Sequence, residues 1–231
     1  MAGVNARLAR AEAALADLSD VDGDGAVVAG IRCASYGIDQ PWATWARPVV
    51  PPDDLAPVVG WLSARAGTWT VKVSAADVSA PAYRGLAEWL TLPVYVLDEP
   101  VAAPDVPGLT VGAPRDPAEF LGVYGTELAP LVTDRHLRAP GYRFLVGRLD
   151  GVTVACAQVR RAADTAYVSA VTVAPEYRRR GIGAAVSAAA TGVARRLTTG
   201  PVWLHAADGA AGIYRRLGYV PVDRHVLLAP R

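Results

Sequence analysis

One segment limits what this chain can fold into more than any other. Val171–Thr172–Val173 alternates as a β-strand does, Ala174–Pro175 stops it, and Glu176–Tyr177–Arg178–Arg179–Arg180–Gly181–Ile182–Gly183–Ala184 leads into a long alanine-rich helix. Gly181 and Gly183 carry no Cβ, so the backbone there can approach an anion closely. The unpaired N–H groups and the positive dipole end of the helix point at the same place. Such a strand–loop–helix is a ready diphosphate site, and Arg178, Arg179 and Arg180 add charge around it. The chemistry of the loop alone does not choose among phosphate ligands.

The elements around this loop set the fold class. Downstream come the helix to about Leu197, a strand at 201–206, a short helix at 210–217 and a strand at 220–228. Upstream, a strand at 109–112 and helices within 116–138 precede a hairpin of strands 143–149 and 152–161 around Asp150–Gly151, then a strand at 165–173. The first half reads as a helix over 4–18, strands at 26–36 and 42–50, a helix at 55–66, a strand at 68–74, a helix at 80–90 and a strand at 94–97. Early hairpins with late β-α-β units make an α+β pattern, a mixed and mostly antiparallel sheet flanked by helices. Pro100, Pro104 and Pro107 punctuate a stretch read as a linker, which divides the chain into 1–103 and 108–231. A shift of 131 residues sets Val71–Leu86 on Val202–Leu217 without a gap, so that Ala75–Ala76–Asp77 meets Ala206–Ala207–Asp208 and Tyr83–Arg84 meets Tyr214–Arg215. The two halves therefore read as a repeat.

Composition removes several functional classes. With 23 basic and 22 acidic residues the net charge is +1, so no global field draws in nucleic acid or an anionic membrane. Cys33 and Cys156 lie far apart in apolar stretches and read as buried hydrophobes, with no disulfide and no metal site. Asp20–Val21–Asp22–Gly23–Asp24–Gly25 mimics the start of a calcium loop, but Ile31 stands where the closing carboxylate belongs. No apolar run is long enough to span a bilayer, and Arg7, Arg10, Glu12 and Asp17 interrupt any signal-peptide core. A cytoplasmic protein is expected.

Arg178-x-x-Gly181-x-Gly183 after the Val-Thr-Val-Ala-Pro strand resembles the coenzyme A loop of the GCN5-related N-acetyltransferases (GNAT family). Leu204–His205–Ala206 and Ile213–Tyr214–Arg215–Arg216–Leu217–Gly218–Tyr219 resemble that family's later motif, in the right order. The resemblance covers 108–231 and implies a tandem acyl-coenzyme A acyltransferase fold, with a catalytic second half. It implies acetyl-coenzyme A as co-substrate, no metal, and direct acetyl transfer to a primary amine in a ternary complex. It places the pyrophosphate on Arg179, Arg180, Gly181, Ile182, Gly183 and Ala184, and the pantetheine arm beside the backbone of Val171 and Val173. Tyr214 becomes the general acid for the departing thiolate.

Departures from the family pattern bear on the same site. Ala207 stands where many members carry Asn or Ser, with Asp208 next as a substitute helix cap. The strand 201–206 holds no glutamate, which leaves His205 as the candidate base, or water in its stead. The first half keeps Tyr83 but has only Pro51–Pro52–Asp53–Asp54 where a phosphate loop would lie, so it reads as a degenerate GNAT-like domain. The six tryptophans read mostly as core, His136 as a surface residue, and Arg215–Arg216 as a solvated helix face. A longer acyl donor, a hydroxyl acceptor and a non-catalytic acyl-coenzyme A-binding regulator stay open beside the main reading. The acceptor, a small molecule or peptide amine, has no readable code, and a monomer is expected over a homodimer.

Overall fold

In the computed structural model, which describes residues 2–16, 23–102, 104–207 and 209–231, the first element is helix α1 (Ala2–Ala14). Leu8, Ala11 and Leu15 are buried as their spacing predicts, while Leu18 and the Asp20–Asp22 part of the calcium-like loop lie outside the described residues. Glu12 is fully buried on the same helix, with Arg47 Nε at 2.7 Å, His225 Nδ1 at 2.8 Å and Lys72 Nζ at 3.5 Å. Burial alone would raise its carboxyl, but His225, Lys72 and Arg47 together hold it well below the usual range.

Ala29 and Gly30, both at positive φ, fold the apolar run 26–36 back on itself. One expected strand is therefore a hairpin, β1 (Asp24–Val28) and β2 (Ile31–Ser35). The short β3 (Thr44–Arg47), helix α2 (Ala56–Ser63) and β4 (Thr70–Ser74) follow their expected places. The helix expected over 80–90 is absent. Only a 3₁₀ turn, Pro81–Tyr83, forms, and β5 (Leu86–Leu97) begins after Gly85 at φ 94°. Gly85 breaks the expected helix, and Trp89, Thr91, Val94 and Tyr95 favour the strand.

The second half matches its reading closely. It runs through β6 (Leu109–Gly112), α3 (Pro117–Tyr124), a 3₁₀ turn at Thr126–Leu131, α4 (Asp134–Arg138), β7 (Tyr142–Leu149), β8 (Val152–Ala162) and β9 (Thr165–Val173). Then come a 3₁₀ turn at Pro175–Tyr177, α5 (Ile182–Leu197), β10 (Val202–His205), α6 (Ala211–Arg216) and β11 (Tyr219–Pro230).

Two units divide the chain: residues up to Val94 with Val222–Arg231, and Tyr95–Pro221. The boundary thus falls at Val94, not in the proline-rich stretch 100–107. That stretch belongs to the second unit: Asp98 N–H donates to Gly218 O at 3.0 Å, Val101 N–H to Leu217 O at 3.3 Å, and Val106 packs on the core. Gly218 is required there, since a Cβ would sit 1.6 Å from Glu99 O.

In the first unit β1, β2 and β3 pair antiparallel, β4 joins β3 in parallel, and the C-terminal part of β11 adds antiparallel to β4. Cys33, Val58, Leu62, Trp69, Val71, Tyr83 and Val226 are central to its core. In the second unit β6, β7, β8 and β9 pair antiparallel and β10 joins β9 in parallel. One face of this sheet, with Leu145, Ala157, Val159 and Val168, packs on Ile182, Val186 and Ala190 of α5. The order antiparallel, antiparallel, helix, parallel occurs in both units.

Two side-chain expectations change. Trp89 is exposed, so it is not core. His136 is buried, not at the surface: it closes a capping box with Thr133 at the start of α4 and stacks edge-on against Tyr142.

Candidate active site

β9 and β10 pair in parallel only from Val202↔Ala166 to Leu204↔Val168. Beyond Val168, β9 runs on through Ser169–Val173 without β10 beside it. A bulge lies in the same stretch: Ala157 alone faces two residues, Ala170 and Val171, and Ala170 adopts φ 53°. The strand therefore offers an open, half-buried backbone edge on its β10 side. Val171 and Val173 turn their side chains to the α5 core, which leaves their backbone to that edge. A linear ligand with its own amide groups can extend such an edge by hydrogen bonding.

The edge runs directly into the loop. Arg179 at φ 65° and Gly181 at φ 81° take left-handed conformations, and Gly181 is the residue that starts α5. Gly181 has no side chain to cap the helix, and no acidic residue stands in the first turn. The first intrahelical bonds are Ala184 N–H to Gly181 O at 3.0 Å and Ala185 N–H to the same oxygen at 3.1 Å. The N–H groups ahead of them, with the dipole behind, form an uncompensated positive end. At Gly183 a Cβ would already touch Val173 and Ile213, 3.5 and 3.8 Å away, so a larger residue would fill the cradle.

The three arginines behave differently. Arg178 is exposed, but its Nε donates to Val173 O at 3.0 Å and so ties the loop to the end of β9. Arg180 lies over the Tyr177 ring at 5.7 Å, and Arg179 projects from the turn, both exposed. Arg178 is therefore a positioning residue of the loop, while Arg179 and Arg180 supply its outward charge.

Tyr214, on α6, is buried against the α5 face of the sheet, its ring 5.9 Å from that of Tyr219. Burial pushes its phenol above the ordinary value; the nearby Ser187 hydroxyl opposes the shift without making a hydrogen bond in the structure. His205 ends β10 on the other face, where its Nδ1 lies 2.9 Å from the Tyr167 hydroxyl. The two candidate catalytic groups thus flank the sheet instead of touching. Asp208, the substitute cap, lies outside the described residues. Cys33 and Cys156 are buried thiols pushed up to about 11 and about 12 by burial, which fits inert packing groups.

Sequence reasoning did not find the bulge at Ala170 or the pairing of Ser169 with Gln158, whose Oε1 accepts from Ser169 Oγ at 3.0 Å. An alanine in a left-handed conformation leaves no trace in composition or periodicity.

Residues 140–221, which include the edge of β9 and the loop just described, match the family model of an acetyltransferase (GNAT) domain. Its fold is that of a GCN5-related N-acetyltransferase from Kribbella flavida, at 24% identity and a TM-score of 0.73, over 98% of this chain and 95% of that one. A putative GNAT acetyltransferase from Novosphingobium aromaticivorans is 23% identical with a TM-score of 0.60, over 96% and 97% of the two chains. A tandem GNAT protein of the clavulanic acid biosynthesis pathway is 17% identical with a TM-score of 0.59, over 86% of this chain and 77% of its own. No curated protein matches the sequence. The GNAT domain supports acyl transfer as the class of chemistry. No helix among the described residues is long and apolar enough to cross a membrane.

Proposed function

We propose that the protein is an N-acetyltransferase that moves the acetyl group of acetyl-coenzyme A to a primary amine. The observation that carries this reading is the continuous path from the open edge of β9, Ser169–Val173, to the uncapped N-terminus of α5. An amide-bearing arm can pair along the edge while its diphosphate rests on the N–H groups of Gly181, Ile182, Gly183 and Ala184. Arg179 and Arg180 add charge from solvent, and Val171 and Val173 present backbone to the arm.

The step is a direct displacement. The amine lone pair attacks the thioester carbon, a C–N bond forms, the C–S bond breaks, and the leaving sulfur takes a proton. Tyr214 donates that proton; its raised pKa keeps the phenol protonated through and beyond neutral pH. A backbone N–H at the Ala170 bulge would stabilise the developing oxyanion. His205 lies on the opposite face of the sheet from Tyr214, which suits a base that meets the incoming amine while the acid meets the departing sulfur.

The first unit is proposed as a degenerate GNAT-like repeat, supported by the shared pairing order and the 131-residue offset of Tyr83 and Tyr214. Calorimetric titration with acetyl-coenzyme A, followed by thiol release with an amine panel, tests the whole reading. Micromolar binding with amine-dependent thiol release is expected. Binding without release would make the chain an acyl-coenzyme A-binding regulator, and no binding would remove the proposal.

A further inference from the structure

Direct displacement needs two approaches to one carbon, and the sheet separates them. The helix that would hold the diphosphate, α5, covers the face of Leu145, Ala157, Val159 and Val168. The opposite face carries the rows Tyr142–Arg160–Tyr167–Trp203 and Phe144–Gln158–Ser169, fixed by register. Phe120 of α3 covers Phe144 at 5.1 Å between ring centres, and His136 of α4 covers Tyr142 at 5.8 Å. Gln158 and Ser169 are only half-buried, and Ser169 directly precedes the bulged Ala170. They stand, half-exposed, on this face where β9 loses β10 as its neighbour.

The chemistry there is neutral and oriented. Ser169 Oγ donates to Gln158 Oε1, which fixes the amide plane and leaves the two Nε2 hydrogens without a protein partner among the described residues. Among the described residues no carboxylate hydrogen-bonds to Gln158 or Ser169. Glu119 of α3 is taken up by Arg148 at 2.7 and 2.8 Å and by Thr153 at 2.7 Å, with Arg115 beside it. A polycationic amine would call for free carboxylates, whereas an amide N–H pair calls for a carbonyl or carboxylate oxygen.

We propose that the acceptor is the α-amino group of an amino acid or peptide, and that Gln158, held by Ser169, receives the acceptor's carbonyl or carboxylate oxygen. This rests on the amine-acetylation reading and names its substrate class. Gln158 is then a specificity residue in contact with the acceptor, and Ser169 is a positioning residue.

The test compares alanine amide with propylamine as acceptors for the full chain, in the wild type and in Gln158→Met, Gln158→Glu and Ser169→Ala variants, with acetyl-coenzyme A affinity as the check on folding. The wild type is expected to favour alanine amide. The ratio of kcat/KM for alanine amide over propylamine should fall about tenfold in Gln158→Met, the size of one lost hydrogen bond. Ser169→Ala should show a smaller fall carried by KM, with kcat held. Gln158→Glu should additionally turn selection against free alanine relative to alanine amide, since its carboxylate repels another. A wild type that favours propylamine, or a Gln158→Met variant with an unchanged ratio, overturns this inference and leaves acetyl transfer standing. Bound acetyl-coenzyme A with no thiol release for any amine overturns both.

Discussion

The N-termini of α2 and α5 occupy the same place in their two units, between an antiparallel strand and the strand that joins it in parallel, and they treat negative charge in opposite ways. At α2 the approach is Pro51–Pro52–Asp53–Asp54, and Asp54 Oδ1 accepts from Ala56 N–H at 2.8 Å. The helix satisfies its positive end with its own carboxylate. At α3 the same device recurs, with Asp116 capping Glu119 N–H at 2.8 Å. At α5 the chain supplies Gly181, three arginines and no acid. A helix that leaves its N–H groups uncapped, beside exposed guanidinium groups, keeps that end for an anion from outside. Two helices in one chain that close their own ends make the open one informative.

The largest break in this comparison is Gly181→Glu. A side chain at φ 81° is strained, Val106 lies 3.3 Å from its Cβ position, and the new carboxylate would neutralise the cradle. Acetyl-coenzyme A affinity should fall at least a hundredfold by calorimetry; retained affinity would remove the loop from the site. Next in size is the pair Tyr214→Phe and Tyr83→Phe. Turnover should fall about ten- to a hundredfold in the first, within the usual range for general acid catalysis, with acetyl-coenzyme A affinity kept. The second should leave turnover unchanged, because Tyr83, pushed up to about 12 by burial, packs in the core of the unit that lacks a phosphate loop. Equal losses in both would erase the distinction between the two units.

A third test uses acid. Arg148, bonded to Glu119, outweighs burial and holds that carboxyl far below its ordinary value. A depressed folded pKa gives stability that is present above the unfolded value of about 4.3 and is lost as pH falls below it. The melting temperature should therefore drop between about pH 5 and pH 3, and Glu119→Gln should start lower and flatten that drop. An identical slope in the variant would show that Glu119 does not drive it. The smallest effect belongs to Asp54→Ala, which should cost about 1 kcal/mol of stability in a urea melt and should not create a second acetyl-coenzyme A site. A second binding event would make the first unit's helix end functional after all.

Much of this molecule was legible before any coordinates. The loop at 178–184, the hairpin at Asp150–Gly151 and the last strand–helix–strand all lie where turn chemistry and periodicity place them, because each is specified by neighbours in sequence. The helix expected over 80–90 shows the limit. Alanines and leucines suggested it, but Gly85 at positive φ and the β-forming Trp89, Thr91, Val94 and Tyr95 commit the chain to β5. Domain limits failed to show for a related reason. Prolines mark where a chain bends, whereas the boundary at Val94 depends on which core Tyr95 and Val222 join.

The sequence by itself determined the glycine–arginine loop, the positions of Gly181, Gly183 and Tyr214, and the acidic Pro51–Asp54 approach to α2, because these are matters of local backbone freedom and charge. Only the tertiary structure decided that Arg178 ties the loop to the end of β9, that Ala170 opens the edge of β9, and that Tyr214 and His205 stand on opposite faces. Those facts are set by register between strands distant in sequence, and a one-residue bulge that leaves hydrophobic periodicity intact has no other way to be seen.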